Sequence, residues 1–469
     1  MSIDKQGGWA PLSFMPREDV ISSSNQVLDT NPISTSVTED IFRINELGMP
    51  WDIGVEITEP ANPEELLKGP DGKYVGMFLL HGGDGDFKSM RTLAQVFASR
   101  FGVKVVTMSF PGRHYLPDES RDWPGDTVRD DGTVRTPIWV RGETISPDEY
   151  DLVVDEGKRH KYGRRLHARA KPGSRFHDRM AAWPAAFETG MKTACASHFA
   201  PDDWSIFVHG HSTGGPFVSM LSQRVDNVRG VFALENSSFG YINEQKHIWG
   251  GNSGKIEGYE QTRPKGDPWK DPFTDLYIRT WRDLARYKGP EALGQEGPAA
   301  LMRLPSLMEE ILDSWETARL RAQFKAEYIV THNIEPSLEA AASAVAERLE
   351  MSTEAANQLR DRYLGFAREL SGEGVKPVPP FYFIITKDSR DHSPEVYDEV
   401  ILPMFAQMNP APRTALTRLG AGVHTYTTPE EGLPEGVTPV AVALFIDAVK
   451  KGFFHNESWV NTDESKDIR

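Results

Sequence analysis

The segment Gly210-His211-Ser212-Thr213-Gly214 is a G-x-S-x-G that follows the apolar run 204–208 and leads through Gly215 and Pro216 into a helical pattern. In a strand-to-helix bend of this kind the glycines allow a sharp turn and close approach of the backbone. The serine hydroxyl then projects at the C-terminal edge of a sheet, while the next backbone N–H groups face a substrate. Ser212 is therefore a candidate nucleophile and the Thr213 N–H a candidate oxyanion donor. A serine that merely caps a helix needs no glycine on either side. Upstream, the run ending at Leu80 opens into His81-Gly82-Gly83-Asp84-Gly85-Asp86. A backbone N–H of Gly83 or Asp84 is the candidate second donor, and one such donor is worth about 3 kcal/mol in a transition state. A phosphate cradle fits less well, because G-x-x-x-x-G-K-[ST] is absent and two aspartates would repel phosphate.

A serine hydroxyl is a weak nucleophile near neutral pH, so an imidazole has to take its proton and return it to the leaving group. Among 13 histidines, His424 stands in the glycine-containing loop Gly420-Ala-Gly-Val-His424-Thr, after the last predicted strand and before the closing helix. His209 and His211 flank the serine too closely in sequence to serve easily as its base and are expected to shape the pocket. His160, His167 and His177 sit in or beside the basic stretch 158–175, which reads as a solvated surface. Glu235 ends the apolar run 228–234, and a carboxylate at the end of a buried strand is costly unless it is paired.

With His81-Gly82-Gly83 after one strand, Ser212 at a bend and a late loop histidine, the sequence resembles the α/β-hydrolase superfamily, and within it the serine carboxylesterases and lipases. The resemblance covers roughly residues 50–112, 176–236 and 378–455. Dehalogenases and many epoxide hydrolases of that superfamily carry an aspartate where this chain has Ser212. The resemblance implies His424 as the base. It implies an acid after the strand 381–386, at Asp388 or at Asp391, the latter followed by Pro394, or else one strand earlier. A bacterial group of esterases with a Leu-Glu pair at the earlier place matches Leu234-Glu235 and Pro111-Gly112-Arg113. Glu235 leads, and Asp388 and Asp391 stay open.

These residues need a scaffold. Runs rich in β-branched and aromatic residues at 53–58, 74–80, 103–110, 204–208, 228–234, 381–386 and 414–419 alternate with helical patterns at 87–101, 179–199, 216–225 and 437–454. That alternation predicts an α/β fold with a mainly parallel, doubly wound sheet. The turn signal Gly69-Pro70-Asp71-Gly72 leads us to read 53–58 and 74–80 as neighbouring strands. Residues 1–236 and 378–469 form the expected core, interrupted by a polar insertion at about 113–176. Residues 237–377, Trp- and Gly-rich and then helical over 306–326 and 338–370, form an expected cap or lid.

Composition narrows the function. With 469 residues, 39% hydrophobic and 26% charged, the chain is not a disordered one. A net charge of −16 would repel nucleic acid and anionic membrane surfaces. A single cysteine, Cys195, excludes an intrachain disulfide, and no zinc-finger spacing is present. No apolar run approaches the ~18 residues of a membrane span. The expectation is a cytoplasmic protein without cofactor or metal, acting on a small, mainly apolar, ester-like molecule held under the cap. The chemistry expected is cleavage of a carboxylic ester or lactone through an acyl-enzyme. Amidase, C–C hydrolase and acyltransferase chemistries use related machinery, and a non-catalytic small-molecule binder is the rival of another class. Oligomeric state is not readable from the sequence.

Overall fold

The computed structural model describes residues 9–46, 48–82, 87–111, 146–155, 165–170, 174–212, 214–236, 324, 327–334, 336–358, 361, 376–389, 402, 405 and 412–455. The main sheet has nine strands in the order β1-β11-β10-β9-β8-β4-β5-β3-β2. They are β1 (Trp9–Met15), β2 (Thr35–Glu46), β3 (Met49–Pro60), β4 (Tyr74–Leu80), β5 (Lys104–Met108), β8 (Trp204–Gly210), β9 (Val228–Leu234), β10 (Phe381–Ile385) and β11 (Thr414–Leu419). From β1 to β5 across the sheet every pairing is parallel. β3 and β2 close the far edge as an antiparallel pair.

Helices cover both faces. α1 (Arg17–Leu28), α2 (Arg91–Phe101) and α6 (Thr438–Lys450) pack together on one side, and α3 (Arg175–His198) and α4 (Gly214–Arg224) on the other. The central strands are buried along nearly their whole length, as parallel strands covered on both faces must be. Their core is aromatic: Phe207 packs edge-on to Phe445 with ring centroids 5.3 Å apart, and Phe232 lies 4.8 Å from Phe445 and 5.8 Å from Phe97. On the opposite face Phe187 stacks on Phe217 at 3.9 Å.

The strands expected at 53–58 and 74–80 exist, but they are not neighbours. β5 lies between them, parallel to β4 and antiparallel to β3. The connection runs past the end of α2, just before β5: the Leu67 N–H donates to Gly102 O at 2.8 Å and Leu67 O accepts from Val75 N at 2.9 Å. Two strands of the main sheet went unforeseen, β1 and β2. Within the polar insertion the structure has an antiparallel pair, β6 (Tyr150–Asp155) and β7 (Arg165–Ala170). The helix expected over 338–370 stops early. α5 (Leu338–Arg348), capped by the Ser337 side chain, ends before Glu350 takes φ +52°, and a second helical stretch covers 353–358. Apart from Phe324, the helix expected over 306–326 lies outside the described residues, as does most of the proposed cap at 237–377. Among the described residues no helix is long and apolar enough to cross a membrane.

Candidate active site

β8 delivers Ser212 to the edge of the sheet. The ladder continues past the strand end, with His211 N–H donating to Leu80 O at 2.9 Å and Ser212 N–H to Glu235 O at 3.0 Å. The chain then folds back into α4, closed by Gly214 N–H to His211 O at 2.8 Å and Gly215 N–H to Ser212 O at 2.9 Å. Ser212 itself has φ +50°. That left-handed conformation costs a non-glycine residue on the order of 1–3 kcal/mol, so the surrounding bonds must hold it. Steric demands explain the flanking glycines. A Cβ on Gly210 would lie 2.2 Å from Gly214 O, and one on Gly214 would lie 2.5 Å from His81 O.

The neighbouring strand ends in the same way. Glu235, fully buried after Leu234, has φ +47°. Among the described residues its carboxylate accepts these hydrogen bonds. Oε1 takes the Thr386 N–H at 2.8 Å and the Thr386 Oγ1–H at 2.9 Å, while Oε2 takes Ser389 Oγ–H at 2.7 Å and His424 Nδ1 at 3.0 Å. A buried carboxylate is tolerable only when its lone pairs are satisfied in this fashion. Because the carboxylate only accepts, Nδ1 of His424 carries the proton, which leaves Nε2 of the neutral ring as the basic nitrogen.

His424 is joined to the serine bend from the other side as well. His211 Nε2 donates to His424 O at 3.1 Å, and the two rings lie 4.7 Å apart. Ser212 is 9% exposed and His424 8%, so both sit at the threshold of the interior. Ser212, Glu235 and His424, drawn from three places in the sequence, thus meet around one junction.

The other candidates fall differently. Asp388 is exposed, its backbone N–H donates to Gly422 O at 3.0 Å, and among the described residues its carboxylate takes no hydrogen bond. Asp391, Gly83, Asp84 and Thr213 lie outside the described residues, as does His160. His167 is on β7 and His177 is in α3. At the start of the glycine-rich loop the buried His81 accepts the Phe110 N–H on Nε2 at 3.1 Å, so its Nδ1–H donates to Gly82 O at 2.6 Å. His209 is buried between Phe232 O, 2.8 Å from Nδ1, and Tyr426 Oη, 2.9 Å from Nε2. Burial drives its pKa down to about 3, so it stays neutral, and with both ring nitrogens engaged it is no base for Ser212. Burial, and then the Glu235 carboxylate, hold the Tyr426 phenol well above its ordinary pKa. Thr386, Ser389 and Tyr426 were not anticipated from the sequence, because their roles come from what they meet and not from any local pattern. Among the described residues no group of three or more His, Cys, Asp or Glu side chains is arranged to hold a metal ion.

No family profile matches the sequence, and no curated protein matches it. Solved structures do. Potato (Solanum tuberosum) epoxide hydrolase I aligns at 14% identity and a TM-score of 0.34 over 87% of this chain and 99% of its own. The Pyrococcus horikoshii acylaminoacyl peptidase aligns at 9% identity and a TM-score of 0.36 over 89% of this chain and 42% of its own. At that distance no residue role passes from either protein to this one. The strand order with its antiparallel far edge, the helices on both faces and the strand–bend–helix at Ser212 are features of the chain itself, and by them it has the α/β-hydrolase fold.

Proposed function

We propose that the chain is a serine hydrolase that cleaves a carboxylic ester or lactone, with Ser212 as nucleophile, His424 as base and Glu235 as the acid that orients the base. The observation that carries this reading is the 3.0 Å bond between His424 Nδ1 and the fully buried Glu235 carboxylate, next to a serine in a left-handed bend. His424 Nε2 takes the Ser212 proton as Oγ attacks the carbonyl carbon. The negative charge that develops on the carbonyl oxygen falls to backbone N–H groups, those of Thr213 and of Gly83 or Asp84 in this reading. The tetrahedral species collapses to an acyl-Ser212, and His424 gives its proton to the departing alcohol. Water then repeats the attack with His424 again as base. Glu235 stays ionised throughout and stabilises the imidazolium. Residues 237–377 would roof a pocket for a small, mainly apolar substrate.

Hydrolysis of p-nitrophenyl esters of graded acyl length tests the proposal. Ser212→Ala and His424→Gln should each lower kcat at least about 10³-fold. Unchanged rates in either variant would overturn it. Lactones, aryl amides and an added alcohol acceptor, assayed alongside, separate esterase from lactonase, amidase and acyltransferase action.

A further inference from the structure

The two histidines beside the nucleophile have partners that match in register. His209, in β8, and His211, one residue past its end, both lie against the Tyr426 ring, with centroids 5.9 and 5.1 Å away. They meet Tyr426 and His424, two residues apart in the loop of the base. Each contact has a fixed direction. His424 O only accepts, so His211 Nε2 carries the proton of that 3.1 Å bond. Phe232 O only accepts, so the proton of His209 is on Nδ1, and its Nε2 receives the Tyr426 hydroxyl at 2.9 Å. The Tyr426 ring also packs edge-on to His211 with centroids 5.1 Å apart, and Tyr426 O accepts from Val437 N at 2.9 Å at the start of α6.

From this register, and resting on the function proposed above, we infer that His211 and the His209–Tyr426 pair are positioning residues for His424. They clamp the loop that carries the base to the strand that carries the nucleophile. Glu235 fixes the rotation of the imidazole ring, whereas His211 and Tyr426 fix the backbone from which that ring hangs. The loop contains Gly420 and Gly422, the latter at φ +87°, and its backbone before His424 is tied on the other side by Lys387 N–H to Ala421 O at 3.1 Å and Asp388 N–H to Gly422 O at 3.0 Å, so the histidine clamp acts on the part that carries the base. A displacement of about 1 Å at a catalytic group can lower a rate about 10²-fold.

The test measures kcat and KM per active site, with sites counted by stoichiometric phosphonylation, for wild type, His211→Leu, His211→Gln and Tyr426→Phe. His211→Leu removes the donor to His424 O and should lower kcat about 10- to 100-fold with KM within about twofold. His211→Gln offers an N–H at a similar reach and should recover kcat to within about threefold of wild type. Tyr426→Phe should lose about tenfold in kcat with KM unchanged. If His211→Leu does not fold, Tyr426→Phe decides by the same measurement. A merely structural role would reduce the number of titratable sites while leaving kcat per site and KM as they were, and that result overturns the inference. So does equal loss in His211→Leu and His211→Gln. If Ser212→Ala is inactive but the clamp variants match wild type per site, only the clamp is refuted; if Ser212→Ala keeps full activity, the proposed function falls with it.

Discussion

β8 and β9 each change character within two or three residues. Along their bodies they present Phe207 and Phe232 to a buried aromatic cluster with Phe97, Phe445 and Phe454, in ordinary strand geometry. At their C-terminal ends the same strands carry Ser212 and Glu235, polar, buried and both at positive φ. Two left-handed residues cost on the order of 1–3 kcal/mol each. Burying one phenylalanine side chain returns about 1.5–3 kcal/mol, so two or three members of the aromatic cluster offset that strain. The molecule separates its tasks along a single strand: the body supplies stability, and the end uses part of it to hold chemistry in place.

Substitutions at the two ends of this contrast should therefore have opposite signatures. Glu235→Gln should lower kcat about 10³- to 10⁴-fold in steady-state assays, while Asp388→Asn stays within about twofold. In the body, Phe207→Ala should destabilise by about 3–5 kcal/mol in urea unfolding but leave kcat per titrated site within about threefold. Loss of per-site activity there would mean that body and end are not separable. Ser212→Gly should do the reverse, abolishing hydrolysis while raising stability by about 1–2 kcal/mol, because glycine accepts the left-handed bend.

The smallest effect concerns pH. His209 has a folded pKa of about 3 against an ordinary 6.5. Below pH 6.5 the unfolded chain binds a proton that the folded chain does not, so its contribution to stability is complete above 6.5 and declines as the pH falls toward 3. The decline is at most about 1.4 kcal/mol per pH unit. Thermal unfolding at pH 7.5 and 5.5 should show a smaller acid-induced drop for His209→Gln than for wild type.

The parts legible in the sequence are those encoded locally. The buried runs of β4, β9 and β10 announce themselves by largely apolar and aromatic composition, and the Ser212 bend by glycines whose missing Cβ atoms the structure requires. What stayed hidden depends on distant partners. β2 is exposed over most of its length and held by twelve residues paired in register with β3, so it lacks the one-sided apolar signal of a buried strand. β1 owes its place to β11, some four hundred residues away. The strand order, with β5 between β3 and β4, is a matter of crossovers that no local pattern records. The choice of the proposed acid is similar. Glu235 and Asp388 are both carboxylates at strand ends, and only the donors of Thr386, Ser389 and His424, gathered around one of them, tell them apart.

Intact mass after reaction with a fluorophosphonate shows whether Ser212 is a reactive nucleophile. One adduct per chain is expected, mapped to Ser212, absent in Ser212→Ala and formed at least about 10³-fold more slowly in His424→Gln. A folded wild-type chain that takes no adduct, or an adduct that persists unchanged in Ser212→Ala, would contradict it.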